Sequence, residues 1–310
     1  MAESRAGAEW PRISVVTPSY NQADFLEETI QSVLNQEYPN LEYMIIDGGS
    51  TDGSVDIIRR LEDRLAWWVS EKDRGQAHAI NKGLERATGD VFAFLNSDDL
   101  YTAGALRRVG AAFRENPPAL LYGKCRYVDA EGAPMDEFPF HPALDLETVL
   151  ADNLLPQPSA FVRMDVCREV GRFDETMHYA FDHDYWVRAM LRGYRLSALP
   201  ELLSLYRLHP SSKTQTSRSH FDADMEKVHG RVRAESLPPA RRRRLRSASA
   251  RFYRRLAFEN YAWEADLRAS VRYFARMIAA DPRACDVRAV KVFARCCLRI
   301  APPRRTKVAS

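Results

Sequence analysis

Four short apolar runs lie between residues 13 and 95, and three amphipathic stretches separate them. The first run, Ile13 to Val16 in "ISVVTPSYN", is too short for a helix and rich in β-branched residues. It reads as a buried strand ending at Thr17-Pro18. "ADFLEETIQSVLNQ" then sets Phe25, Leu26, Ile30, Val33 and Leu34 at helical spacing, with Asp24 in the N-cap region. "LEYMIIDGGSTDGS", "LAWWVSE" and "DVFAFLN" repeat the strand, and "SVDIIRRLE" and "GQAHAINKGLERA" repeat the helix. Strands that alternate with helices build βαβ units, so the pattern predicts an α/β fold with a mostly parallel sheet flanked by helices. Strands covered on both faces are continuously apolar, as these are.

In such sheets ligands bind beyond the carboxyl ends of the strands. "TPSYN", "DGGSTDG" and "NSDD" all fall there. The last poses the sharpest question, because "FLNSDDL" runs a hydrophobic strand straight into Asp98 and Asp99. Adjacent carboxylates repel and need water or partners. Either they begin a plain turn, or they hold a cation. Neither Gly-x-Gly-x-x-Gly nor Gly-x-x-x-x-Gly-Lys-Ser/Thr occurs, so dinucleotide and P-loop binding lack their fingerprints.

From about residue 120 the pattern turns irregular, with strand-like "ALLYGKCRYVD" and Pro-rich "LPQPSAFV". "FDHDYWVRAMLRGY" predicts a helix, "RLSALPELLSLYRLH" a last strand, and residues 211–220 a polar, mobile loop. "LPPARRRRLRSASA" marks a boundary, followed by amphipathic helices over 250–280 and 287–300 around Asp281-Pro282. Residues 256–282 faintly resemble a single tetratricopeptide repeat, which cannot bury its own face, so a helical hairpin is expected. Two regions follow: 1–235, with a nucleotide-binding half over about 11–120 and an acceptor half over about 121–235, and a basic helical region over 236–310.

Charge divides the same way. Residues 236–310 hold 19 Lys and Arg against 5 Asp and Glu; the chain's 45 and 42 leave 26 and 37 for the remainder. A basic tail on an acidic body implies two employments. "RRRRLR" at 241–246 suits nucleic acid, anionic lipid or plain solvation, and solvation is the first expectation. Val290, Phe293, Cys297 and Ile300 share a helical face edged by Arg288, Lys291, Arg295 and Arg299, which suits a membrane interface or packing alike. No apolar run reaches about eighteen residues, "MAESRAGAEWPR" lacks a signal-peptide pattern, and five cysteines follow no metal-ligand spacing. A cytoplasmic protein with reduced thiols is expected.

The motifs "ISVVTPSYNQADFLEETIQSVLNQ", "IIDGGSTDGS", "SEKDRGQAHAINKGL", "GDVFAFLNSDD", "GRFDE" and "DHDYWVRA", in this order over residues 13–210, resemble the family 2 glycosyltransferases, inverting enzymes of the GT-A fold. The resemblance implies a nucleotide-sugar donor, a saccharide or lipid-linked acceptor, and a divalent cation, Mn²⁺ or Mg²⁺. No nucleic-acid partner is expected, and for the basic region peripheral contact with the inner face of the cell membrane is the expectation that follows solvation. The family's Asp-x-Asp is here Asn96-Ser97-Asp98, which makes Asp98 the metal ligand and keeps a hydrogen-bonding group, Asn96, near the ribose. Asp99 is expected to orient the donor, and His209 in "LYRLH" is either a second ligand or an ordinary loop histidine.

Thr17, Pro18 and Tyr20 are expected to line base and ribose, and Asp47 to bond the base or ribose. The family's usual Asp-Asp-Gly-Ser is here Asp47-Gly48-Gly49-Ser50, one carboxylate short. Asp73, Gln76 and Lys82 sit at a strand-to-helix junction, where backbone amides suit anions; Lys82 either neutralises phosphate or is solvated. Counting back from Trp186, Asp182 matches the general base that takes the acceptor proton, with Phe181 where the family has Glu. Asp is equally at home as a helix N-terminal cap, the reading favoured for Asp184. The competing function is a non-catalytic nucleotide- or carbohydrate-binding module on the same fold.

Overall fold

The computed structural model describes residues 9–212, 218–263 and 266–299. In the first of two units, strands β1 (Ile13–Ser19), β2 (Leu41–Asp47), β3 (Trp67–Ser70) and β4 (Val91–Phe94) run parallel in the order β3-β2-β1-β4. Their register pairs Ser19 with Asp47 and Asp47 with Ser70. The last residues of neighbouring strands are thereby level, and the polar loops after them share one edge. Helices α1 (Ala23–Leu34), α2 (Ser54–Arg60) and α3 (Gln76–Arg86) are the crossovers. Leu26, Ile30 and Val33 of α1 bury against Ile13, Val15, Tyr43 and Ile45, with Val109 and Phe113 of α4 (Ala105–Glu115) in the same core. On the other face α3 comes close at Gly83, where a Cβ would lie 2.5 Å from Val16 Cγ2, so only glycine permits that approach.

The sheet continues β4-β8-β6-β9-β5, with β7 (Pro134–Glu137) paired to β6. Here β5 is Leu100–Tyr101, β6 Leu120–Val128, β8 Ala160–Arg163 and β9 Leu196–Arg207. Only β6 and β9 are parallel in this half; β8 and β5 run against their neighbours. The sheet is therefore mixed, parallel where strands alternate with long crossovers and antiparallel where connections follow no βαβ rhythm. Helices α6 (Met164–Val170) and α7 (Phe181–Leu191) belong to this half.

The second unit joins Leu146–Asn153 to the chain from Lys227 onward. This differs from the expected division at 235/236. Helix α8 (Arg218–Ala234) carries the dividing point, and α5 (Leu146–Ala151) lies in the second unit because Leu146, Val149 and Leu150 bury there. Helices α9 (Pro239–Ala262), α10 (Leu267–Ala280) and α11 (Val287–Cys297) complete it. The basic run expected as a boundary lies inside α9, since Pro239 sits in the first turn and arginine is a good helix former. The expected apolar stripe of α11 is divided. Phe293 packs edge-on to Phe274 with ring centroids 5.7 Å apart, whereas Val290 and Cys297 are exposed. Ile300 and residues 213–217 of the expected loop lie outside the described residues.

All five cysteines are free thiols. Among the described residues no helix is long and apolar enough to cross a membrane.

Candidate active site

The polar loops of the parallel half enclose a cleft of about 490 Å³. Pro18 and Tyr20 line it from the end of β1, Asp73 and Gln76 from the β3–α3 junction, and Asn96, Ser97, Asp98 and Asp99 from the end of β4. Tyr206 and Ser212 close it from the chain around the end of β9.

Asp98 meets a residue 111 positions away. β5 pairs with β9, Leu100 opposite Leu205, and this brings the "NSDD" turn beside the "YRLH" segment. His209 Nε2 lies 3.1 Å from Asp98 Oδ2, and its Nδ1 bonds Ser211 Oγ at 2.8 Å. Phe25 packs against the imidazole at a tilt, ring centroids 4.6 Å apart. Arg207, almost wholly buried, organises the junction. Its Nε donates to Asp98 O at 3.0 Å, its Nη1 to Ala130 O at 2.7 Å, and its Nη2 to Glu28 Oε2 at 2.5 Å. Its backbone N–H donates to Asp99 Oδ1 at 3.0 Å.

Asp99 is an internal brace. Its Oδ2 also accepts from Asn96 Nδ2 at 3.2 Å, and Thr29 Oγ1 donates to its carbonyl at 2.9 Å. Burial, and then the charge of Asp98, push the Asp99 carboxyl well above the usual carboxylate range, against the pull of the Arg207 N–H and Asn96 amide. Asn96 is spent in the same network, accepting from Gln76 Nε2 at 2.6 Å and donating to Gln157 Oε1 at 3.2 Å. Gln157 Nε2 in turn donates to Phe94 O at 2.7 Å.

Three expected nucleotide-binding residues do not line the cleft. Thr17 is buried and shares a 2.9 Å hydrogen bond with Tyr43 OH. Asp47 is buried beneath the turn it shapes, accepting from Gly49 N at 3.0 Å, Ser50 N at 2.9 Å and Ser70 Oγ at 2.7 Å. Lys82 pairs with Glu71 at 2.8 Å on the flank of α3. Among the described residues, the basic side chain that lines the cleft is Lys72. Its place just past β3 is the signal the sequence offers for it.

Gly48 accounts for the shortened acidic motif. A Cβ there would stand 2.8 Å from Asp73 Oδ2 and 3.2 Å from the Tyr20 ring. The Asp73 carboxylate thus occupies space that a side chain at 48 would need. Its other oxygen accepts from Gly75 N at 2.8 Å, at the start of α3.

Asp182 stands in the first turn of α7, partly exposed, and its Oδ1 accepts from His183 N at 2.8 Å. It is not among the residues that line the cleft. The helix reaches the same sheet edge through Phe181, whose ring is 6.0 Å from Phe94. The loop before it is fixed to the cleft wall: Arg74 Nη2 donates to Glu175 Oε2 at 2.6 Å, and Asn81 Nδ2 donates to Phe173 O at 3.0 Å. Asp224 of α8 accepts from His178 N at 2.8 Å and Tyr179 N at 2.9 Å. Asp184 is buried and paired with Arg188 at 2.7 Å, a helix-internal brace.

A polar cleft at the carboxyl edge of a parallel βαβ half, closed by a mixed second half, is the architecture of a nucleotide-binding transferase. Comparison with known proteins narrows the class. The family model "Glycosyl transferase family 2" matches residues 14–171, and the chain belongs to that family. It is 30% identical over 202 residues to the putative teichuronic acid biosynthesis glycosyltransferase TuaG of Bacillus subtilis, covering 64% of this chain and 79% of that protein. Glycosyltransferase AglE of Haloferax volcanii is 27% identical over 207 residues, 64% of this chain and 68% of its own.

Solved structures share the fold. Residues 1–349 of S. aureus TarS in complex with UDP-GlcNAc align with a TM-score of 0.70 at 19% identity, over 93% of this chain and 88% of that one. The mannosyltransferase PcManGT from Pyrobaculum calidifontis, in complex with GDP-Man and Mn²⁺, aligns with a TM-score of 0.62 at 20% identity, over 94% and 80%.

Proposed function

We propose that this family 2 glycosyltransferase is an inverting, divalent-cation-dependent hexosyltransferase. It moves a sugar from a nucleoside diphosphate to a saccharide or lipid-linked acceptor hydroxyl in cell-surface polysaccharide or glycolipid synthesis. The observation that carries this is the charge of the cleft: the carboxylates of Asp73 and Asp98 line it, with Lys72 alone opposing them among the described residues. A diphosphate is itself anionic and gains little from such a cleft unless a cation stands between.

The donor set suits Mn²⁺ or Mg²⁺. Carboxylate and imidazole are ligands for such ions. Asp98 Oδ2 and His209 Nε2, 3.1 Å apart, are the two side-chain atoms that would hold the ion. No third His, Cys, Asp or Glu joins them among the described residues, so the rest of the ion's oxygen ligands would come from the donor and water. The bound ion supplies charge compensation for the departing diphosphate.

The chain's own residues do the rest. Tyr20 and Pro18 flank the base, Asp73 bonds the nucleoside, and Lys72 adds charge beside the phosphates. Gln76, Asn96 and Asp99, with Ser97 between them, hold the Asp98 turn in place, and Thr17 and Asp47 hold the strand ends beneath. Lys82 restrains Glu71, next to Lys72. Asp182 accepts the acceptor hydroxyl's proton as the new C–O bond forms and the bond to the diphosphate breaks, which inverts the anomeric carbon. The names of the relatives support the donor class, the ion and an envelope glycan; exposed Val287, Val290 and Leu298 among arginines support contact with the inner face of a cytoplasmic membrane.

The test is nucleotide release from UDP-, GDP- and dTDP-sugars with and without Mn²⁺, in wild type and Asp182→Asn. Metal-dependent release with one donor is expected. The Asn variant should lose about 10²–10⁴-fold in transfer while retaining nucleotide binding. Full activity in that variant would remove Asp182 from the role.

A further inference from the structure

The run Arg241–Arg244 does not form one solvated face. Helical spacing turns Arg242, Leu245, Arg246, Ser249 and Tyr253 to one side of α9, whereas Arg244 faces α5 and pairs with Glu147 at 2.9 Å. The first side, with the end of α10 and with Val232 and Arg233, encloses a cavity of about 510 Å³.

Arg233, Arg242, Arg246 and Arg276 line this cavity, and no Asp or Glu does among the described residues. Arg276 packs over the Tyr253 ring, 5.9 Å from its centroid, and elsewhere in the unit Arg254 pairs with Asp286 at 2.5 Å, Arg255 with Asp152 at 2.9 Å and Arg283 with Asp281 at 2.9 Å. Arg242 and Arg246 are anchored differently. Arg242 Nη2 donates to Leu237 O at 3.0 Å, and Arg246 Nε and Nη2 donate to Ala280 O at 2.8 Å and Ala279 O at 3.3 Å. Both guanidiniums are held by backbone carbonyls and keep N–H groups for a further acceptor. The floor is apolar and aromatic, with Val232, Leu245 and Tyr253 all buried. Buried His229 shares a 2.9 Å hydrogen bond with Ser249 there.

Like charges gathered in a partly enclosed space repel, and a bound anion relieves them. The guanidinium fork matches phosphate oxygens. The volume far exceeds a phosphate group, and the floor suits hydrocarbon. We propose that this cavity binds a phosphate ester carrying an apolar chain. The site is separate from the cleft and stands whether or not the cleft's proposed reaction holds.

The test is calorimetric titration of the full chain with dioctanoyl phosphatidic acid and, separately, with glycerol 3-phosphate. Arg233→Glu/Arg242→Glu is compared with Arg243→Glu/Arg268→Glu, an equal charge change at exposed residues outside the cavity. Saturable binding of the amphiphile is expected, at least about tenfold tighter than glycerol 3-phosphate, because the chain adds buried apolar area. The cavity variant should weaken it about tenfold or more, and the control variant should leave it unchanged. Thermal melts and donor titration of the cleft should match wild type in both. Equal weakening in the two variants, or unsaturable binding, overturns the site; equal affinity for both probes overturns the apolar chain and leaves a site for soluble phosphate esters.

Discussion

The first unit's cleft and the second unit's cavity are nearly equal in size, about 490 and 510 Å³, and opposite in charge. One presents the carboxylates of Asp73 and Asp98 against a single lysine, the other four arginines and no carboxylate among the described residues. On the proposals above, each meets phosphate by a different device. The cleft borrows positive charge from a mobile ion, so that its affinity is conditional and its product can leave. The cavity carries fixed positive charge, and nothing need arrive first. Arginine itself differs between the units. Arg207 is buried and tied to four acceptors, whereas Arg244, 68% exposed, makes a surface pair.

The sharpest way to break this contrast is chelation. EDTA should lower transfer by about 10³-fold, the weight of several kcal/mol of lost charge stabilisation, and leave phosphatidic acid binding unchanged in calorimetry. Loss of both would show one mechanism where two are proposed. Next, Arg207→Met should cost about 3–5 kcal/mol in urea unfolding, because the Asp98 and Ala130 carbonyls and the Glu28 carboxylate lose their partner. Arg244→Met should cost no more than about 1 kcal/mol. Equal losses would erase the difference between the two arginines.

A smaller effect is expected from Gly48→Ala, which crowds Asp73 and Tyr20 and should cost about 1–3 kcal/mol, read mainly as weaker donor binding in nucleotide titration. Smallest is Glu42. Burial opposes its charge, yet hydrogen bonds from Ser14 and Thr88, and Arg12 beside it, hold the carboxyl below its ordinary value. Its contribution to stability is therefore present above the ordinary carboxylate range and lost as pH falls through the lowered value. Glu42→Gln should flatten that acid limb of the unfolding curve; an unchanged limb would assign it elsewhere.

The first four strands and their helices were legible because continuous apolar runs and 3.6-residue periodicity are local signals, and the six ordered motifs carried the family. The second half of the sheet was not. β8, β6, β9 and β5 pair across connections with no rhythm, so the sequence shows strands there without their order or direction. The site divides in the same way. Pro18, Tyr20, Asp73, Gln76, Asn96, Ser97, Asp98 and Asp99 reach the cleft because loops at the end of parallel strands must share an edge.

The sequence by itself thus determined the fold class, the family and the edge where chemistry is placed, since each is written in the period and order of neighbouring residues. Tertiary structure decided which side chains line the cleft and which brace it: Lys72 lines it and Lys82 does not, Asp99 bonds the Arg207 N–H, and His209, buried and not among the lining residues, meets Asp98 across 111 positions. It also decided that α5 joins the C-terminal helices and that a single arginine run divides between an ion pair and a cavity. These outcomes depend on strand pairing and helix packing between distant segments, and no local pattern encodes them.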